Sequence, residues 1–334
     1  MKNNRCFITN IAPHYREPIF SLIDKEIGCD FYIGDHVRTR LKVFNYHILT
    51  GYRKTLRNRF IGPFYWQSGS IRLVFKPYKY YILDGEPFCL SSWVILVLCR
   101  LLGKRTIAWT HGWYGREGLI KGIIKKIFYK QFSTLMLYNR YAMRLMEDIG
   151  FDRNRMFCIA NSMDSDREKA LRTTLKPSDV YASHFKNNLP TVIYCGRIQK
   201  WKKLEMLIDS MKMLKDEGRP VNVVFIGKDV EGVNLESYAK QQGLQANVRM
   251  YGPCYDDRII GQLFFDAAVC VSPGNVGLTA IHALSFGCPV ITHNDFSYQN
   301  PEFEAINPGV TGDFFEKDNT RSLADFMSKW TSKT

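Results

Sequence analysis

Four short loops gather the side chains that could bind or act on a ligand. In Tyr194-Cys195-Gly196-Arg197-Ile198-Gln199-Lys200-Trp201-Lys202-Lys203, a hydrophobic run stops at a glycine, and an arginine and several lysines follow. Arg presents a planar fork and Lys a point charge, a combination that suits a diphosphate. Without an anion, cations at a helix start oppose the helix dipole, so a plain solvated loop is the alternative. In Ser272-Pro273-Gly274-Asn275-Val276-Gly277-Leu278-Thr279, a second hydrophobic run turns through glycines into a helix-like stretch that reaches His282. Backbone N–H groups at such a turn attract anions, and an ordinary strand-turn-helix is the alternative. Thr110-His111-Gly112 sets a lone His after a strand-like run, where it either reaches a ligand oxygen or makes a structural hydrogen bond. Pro13, His14, Tyr15 and Arg16 follow the first hydrophobic run and offer either a substrate contact or a rigid surface loop.

The elements that must position these loops alternate. Strands are expected at Arg5 to Thr9, Tyr80 to Asp84, Thr106 to Trp109, Val192 to Cys195, Val221 to Ile226, Val248 to Tyr251, Ala267 to Val271 and Pro289 to Thr292. Helices are expected at Glu17 to Glu26, as a buried helix at Trp93 to Leu102, and at Leu204 to Lys215, where Leu204, Leu207, Ile208, Met211 and Leu214 share one face. Strands alternating with helices predict βαβ units and parallel sheets. The polar text between them divides the chain into residues 1–165, a linker at 166–190, and residues 191–334. Two doubly wound domains in one chain imply a cleft, with chemistry in the loops after the strands.

Composition narrows the class. The chain has 334 residues with 46% hydrophobic side chains, enough for two packed domains. No run approaches the ~18 apolar residues of a spanning helix, and the N-terminus lacks the apolar stretch of a secretory leader. The nine Cys form no C-x-x-C pair and the seven His show no metal-ligand spacing, so reduced thiols and no metal site are expected. No G-x-G-x-x-G follows the first strand and no G-x-x-x-x-G-K-[ST] occurs, which removes the main support for nicotinamide dehydrogenases and P-loop enzymes. Residues 1–180 hold 30 Lys or Arg against 15 Asp or Glu, whereas residues 181–334 hold 16 against 17. A one-sided basic field predicts a polyanionic partner. The Lys-rich stretch Ile120 to Lys130 and the cluster Arg53 to Phe60 are the candidates for an anionic membrane surface. No helix-turn-helix or RNA-binding signature is present, so nucleic acid is not expected.

In order, the Gly196-Arg197…Lys202 loop, Phe225-Ile226-Gly227, Tyr251-Gly252-Pro253, Gly277-Leu278, Phe286-Gly287-Cys288-Pro289-Val290-Ile291, Pro301-Glu302 and Gly309-Val310-Thr311-Gly312 resemble the family-four retaining glycosyltransferases. Thr110-His111-Gly112 and Asn161-Ser162-Met163-Asp164 extend the likeness more loosely into the first half. The resemblance implies an α/β protein of GT-B fold, two Rossmann-like domains facing a central cleft. Residues 1–165 would bind the acceptor and residues 191–334 the nucleotide-sugar. It implies a metal-independent, hexosyltransferase-like enzyme with no cofactor. Such an enzyme would move a sugar, with retention, to a lipid-linked saccharide acceptor in surface polysaccharide or lipopolysaccharide synthesis. It would work in the cytoplasm at the inner face of the cell membrane. His111, Arg197 and Lys202 would be catalytic. Gly196, Tyr251, Gly252, Pro253, Cys254, Gly274, Asn275, Gly277, Leu278, Thr279 and His282 would bind the donor. Pro13, His14, Tyr15 and Arg16 would bind the acceptor. One departure stands out: the family's two Glu positions, with seven residues between them, carry Gly274 and His282 here. A sugar-nucleotide epimerase on the same fold and a catalytically weakened partner subunit are the alternative expectations.

Overall fold

A computed structural model describes residues 3–39, 41–161 and 163–332, so Ser162 of the Asn161 motif lies outside the described residues. The chain divides into two compact units, residues 1–164 and 165–334.

The first unit runs β1 (Arg5–Thr9), α1 (Glu17–Leu22), β2 (Asp30–Gly34), β3 (Tyr52–Ile61), β4 (Phe64–Ser68), β5 (Tyr80–Asp84), α2 (Leu90–Leu101), β6 (Arg105–Thr110), α3 (Leu119–Lys130), β7 (Thr134–Leu137), α4 (Arg140–Asp148) and β8 (Met156–Cys158). Its sheet has the order β4-β3-β2-β1-β5-β6-β7-β8 and is parallel except for the β3–β4 hairpin. Cys6, Phe7 and Ile8 of β1 are buried together, the continuous apolar pattern of a strand covered on both faces.

The second unit runs α5 (Ser165–Arg172), α6 (Val180–Phe185), β9 (Thr191–Cys195), α7 (Leu204–Asp216), β10 (Asn222–Ile226), α8 (Leu235–Gln241), β11 (Val248–Gly252), α9 (Asp257–Asp266), β12 (Val269–Ser272), α10 (Thr279–Ser285), β13 (Val290–His293), β14 (Gly312–Phe315) and α11 (Thr320–Thr331). Its sheet order, β11-β10-β9-β12-β13-β14, is the doubly wound 3-2-1-4-5-6 pattern. The α7 face read from the sequence is buried against β9, β10 and α11.

Three expectations change, and the Arg53 to Phe60 cluster, which had no expected element, takes one. Residues 166–190, expected as a linker, form α5 and α6 within the second unit. The Tyr181 hydroxyl donates to the Leu263 carbonyl at 2.6 Å, an anchor hidden in polar text. The first helix ends at Leu22 and widens into a π turn, with the Gly28 N–H closing on the Ile23 carbonyl at 3.0 Å. The Arg53 to Phe60 cluster is strand β3, where Leu56 and Asn58 turn inward and Arg57 and Arg59 outward. Trp93 to Leu102, expected to be buried, is buried only on the face carrying Ile95, Leu96 and Cys99.

Candidate functional site

In the second unit the strand order reverses between β9 and β12. Ligands of doubly wound sheets bind outside the carboxyl ends of the strands at that point. The loops leaving β9 and β12 are the two diphosphate candidates, and they are tied together. Thr279 Oγ1 donates to the Cys195 carbonyl at 2.8 Å, and the Gly274 N–H to the Lys202 carbonyl at 2.9 Å. Lys202 Nζ donates to the carbonyl and side-chain oxygens of Asn275 at 2.6 and 2.8 Å and sits 4.3 Å from the Trp201 ring centre. The Tyr194 hydroxyl fixes the turn by donating to the Arg197 carbonyl at 2.8 Å. Gly227, just past β10, closes the floor: a Cβ there would stand 1.8 Å from the Gly196 carbonyl oxygen, so only glycine fits. Its N–H donates to the Gly252 carbonyl at 2.9 Å, which brings the Tyr251 to Cys254 loop to the same end of the sheet.

Lys202 is the electrostatic centre of this site. Burial, helped by Arg197 and opposed by Glu302, pulls its pKa down to about 8. It is still mostly cationic at neutral pH, in a place where a charge is weakly screened. Two of its three N–H bonds are used on Asn275. At Gly274 a Cβ would meet the Trp201 carbonyl oxygen at 2.6 Å and Lys202 Cα at 2.8 Å, so backbone occupies the space of a side chain. His282 packs against Phe264 and Phe286, with ring centres 5.1 and 5.5 Å away, and its Nε2 lies 3.6 Å from Glu168 Oε1. Burial lowers its pKa to about 4.

The first unit has its own switch point, between β1 and β5. A cavity of about 510 Å³ opens there, lined among others by Pro13, Tyr15, Arg16, Asp84, Glu86 and His111. His14 is not part of the lining; its Nδ1 lies 3.2 Å from the Lys42 carbonyl. The Arg16 guanidinium stacks over Trp109 and Tyr138, at 5.5 and 5.3 Å, and donates to the Tyr138 hydroxyl. His111 lies with its ring 4.6 Å from that of Tyr138, and its Nδ1 is buried with no hydrogen-bond partner among the described residues. Burial, with Arg16 and Lys125 near, lowers its pKa to about 4. It is therefore neutral at physiological pH, a hydrogen-bonding group with one nitrogen waiting for a partner.

The loop carrying His111 is stapled from behind. Lys125 of α3 is buried and donates to the Gly112 carbonyl at 2.9 Å and to Glu117 Oε1 at 2.5 Å. Glu117 accepts the N–H groups of Tyr114 and Gly115 at 3.0 and 2.9 Å. Sequence reasoning missed Asp84 and Glu86. Asp84 Oδ2 accepts from the Asn10 N–H at 2.5 Å and from Thr9 Oγ1 at 2.8 Å, and burial raises its pKa to about 6. The signal available for it was a carboxylate closing a hydrophobic strand.

Two kinds of comparison bear on these sites. Residues 178–334 match the family model of glycosyl transferases group 1. No curated protein is similar enough in sequence to match. Among solved structures, the apo form of the lipopolysaccharide outer core galactosyltransferase WaaB superposes with a TM-score of 0.70, at 12% identity over 98% of this chain and 90% of that one. HepE of Anabaena, solved with UDP, gives 0.71 at 15% identity over 98% and 90%. A glycosyltransferase of Rickettsia africae gives 0.67 at 16% identity over 99% and 89%. At such identities these likenesses establish the fold. The chain thus shares the GT-B fold of these proteins, and its residues 178–334 match the group 1 glycosyl transferase family.

Proposed function

We propose that this chain transfers a sugar from a nucleotide-sugar to a hydroxyl of a saccharide acceptor, with retention at the anomeric carbon and without a metal. The acceptor is lipid-linked, and the product belongs to surface polysaccharide or lipopolysaccharide. The observation that carries the reading is the pair Arg197 and Lys202, held beside the β9/β12 switch point by the Asn275 and Cys195 contacts. In the transfer the bond between the anomeric carbon and the diphosphate oxygen breaks, and the nucleoside diphosphate leaves with the electron pair. The acceptor oxygen bonds to the same face of the sugar, and its proton passes to the departing phosphate oxygen. Fixed cations and the backbone N–H groups of Gly277 to Thr279 stabilise the charge that develops, supplying what a metal supplies elsewhere. In the first unit, neutral His111 and the carboxyl groups of Asp84 and Glu86 match the hydroxyls of a sugar, and Trp109, Tyr138 and Tyr15 its apolar faces.

HepE was solved with UDP and with UDP-glucose, which makes uridine diphosphate the nucleotide to test first. The experiment is a thermal-unfolding panel of nucleoside diphosphates in the presence of a chelator. A ligand of the folded state at a hundredfold excess over its dissociation constant adds ~2.7 kcal/mol of stability. A midpoint rise with one nucleotide is expected. No rise with any would favour the weakened-partner reading, for which the filled space at Gly274 is the specific motive.

A further inference from the structure

We propose that the outer face of α2 and α3 is the surface on which this protein docks to an anionic lipid bilayer. The proposal rests on the reading of a membrane-borne acceptor and names the part of the molecule that meets the membrane. On α2, Leu90, Val94, Val97 and Leu101 follow one another at helical spacing and all are exposed, Leu101 by 76%. On α3, Leu119, Ile120, Ile123, Ile124 and Ile127 are exposed, Leu119 by 81% and Ile120 by 75%. The two helices are neighbours, with the rings of Trp93 and Phe128 5.0 Å apart between them. Scattered exposed aliphatics are ordinary, but nine on two adjacent helices form a patch of the kind that marks an interaction surface.

Charge decides what covers it. From Pro87 to Met146 the chain holds ten Lys or Arg and one acidic residue, Glu117, whose carboxylate is spent on buried Lys125. A second copy docked on this face would set the same cations against each other. An anionic bilayer accepts both features, with aliphatic side chains at the headgroup boundary and Lys121, Lys126 and Lys130 among the phosphates. At one end of the face, a cavity of about 530 Å³ is lined by Arg100, Lys104, Arg105, Lys130 and Arg155 and by no carboxylate, a fit for a phosphate headgroup. The other end leads to the acceptor cavity: Phe88 lines that cavity, and Leu90 opens the stripe two residues later. A bilayer on this face therefore lies beside the cavity. Among the described residues no helix is long and apolar enough to cross a membrane, so the contact is with one leaflet.

The test is co-sedimentation of the full chain with vesicles of equimolar phosphatidylglycerol and phosphatidylcholine, and with phosphatidylcholine alone. The wild type is expected on the anionic vesicles. Val97→Glu/Leu101→Glu/Ile124→Glu should lower the bound fraction about tenfold, with thermal unfolding like that of the wild type. Lys121→Gln/Lys126→Gln/Lys130→Gln, which leaves the apolar face intact, should lower it and make what remains less sensitive to salt, because fewer charges are left to screen. Lys54→Gln/Arg57→Gln/Arg59→Gln on β3 should bind as the wild type does. Loss in the β3 variant with binding kept in the other two would overturn the face and leave a membrane-borne acceptor standing. No binding of the wild type to either vesicle would overturn the proposal. The nucleotide panel on the same sample would show whether donor binding survives that failure. A wild-type dimer in light scattering that becomes monomeric in the Glu variant would overturn it in favour of a second copy.

Discussion

Gly274 shows how a single position limits what the donor site can be. A Cβ there points at the backbone of Trp201 and Lys202, so the loop from β9 stands where a carboxylate would extend. The variant Gly274→Glu should therefore not supply a contact to the donor. It should lose about 1–3 kcal/mol to overpacking and bind nucleotide more weakly, because the clash displaces Lys202. Chemical unfolding and nucleotide titration of this variant check both parts. Wild-type stability with improved transfer would show that the loop yields and that the steric account is wrong. At the same scale, Arg197 and Lys202 were legible in the sequence because a strand, a glycine and closely spaced cations form a recognisable local string. Asp84 was not. Its chemistry comes from burial and from the Asn10 and Thr9 donors, more than seventy positions away along the chain.

Helix α3 carries two roles on two faces. Its outward residues include Ile120 and Ile124, while Lys125 turns inward with Phe128 and Tyr129. The sequence shows a Lys-rich amphipathic helix but not which lysine is buried, because Lys125 and Lys126 are equivalent until Glu117 folds back onto one of them. Removing one partner of a buried pair leaves an uncompensated charge and costs ~3–5 kcal/mol. Lys125→Met and Glu117→Leu should each destabilise the chain and weaken any ligand contact made by His111. Combining Lys125→Met with Glu117→Leu should recover part of the stability. A double-mutant cycle in urea measures this, and strictly additive losses would contradict the staple. The β3–β4 hairpin shows a related limit. Its period-2 burial is masked in the sequence by the dense arginines of Arg53 to Arg59.

Across the whole molecule, the strand–helix alternation of the second unit was foreshadowed in the sequence, with β9, β10 and β11 each running into a glycine. The first sheet was harder to read, since its hairpin interrupts the alternation. Titration also acts at this scale. His111, His282 and His293 are held down to about 4 by burial, from an ordinary 6.5. Between those values the unfolded chain binds their protons and the folded chain does not, so stability falls as pH drops from 6.5 to 4. Asp84, raised to about 6, opposes this: it is protonated in the folded state over much of the window and ionised in the unfolded one. The Glu86 carboxyl, also raised by burial, opposes it as well; three imidazoles outweigh two carboxyls, and the unfolding midpoint should climb from pH 4 to 6.5. A thermal series in matched ionic strength checks it, and a midpoint flat or falling over that window would contradict the burial of these imidazoles.

The central claim is that Arg197 and Lys202 hold the diphosphate of the donor. Calorimetric titration of uridine diphosphate into the wild type, Arg197→Ala and Lys202→Ala, with a chelator present, tests it most directly. A charge-assisted contact contributes ~1.5–3 kcal/mol, so each variant should bind roughly ten- to a hundredfold more weakly while its unfolding stays cooperative. Equal affinity in all three proteins would remove the diphosphate from the β9/β12 switch point and contradict the account.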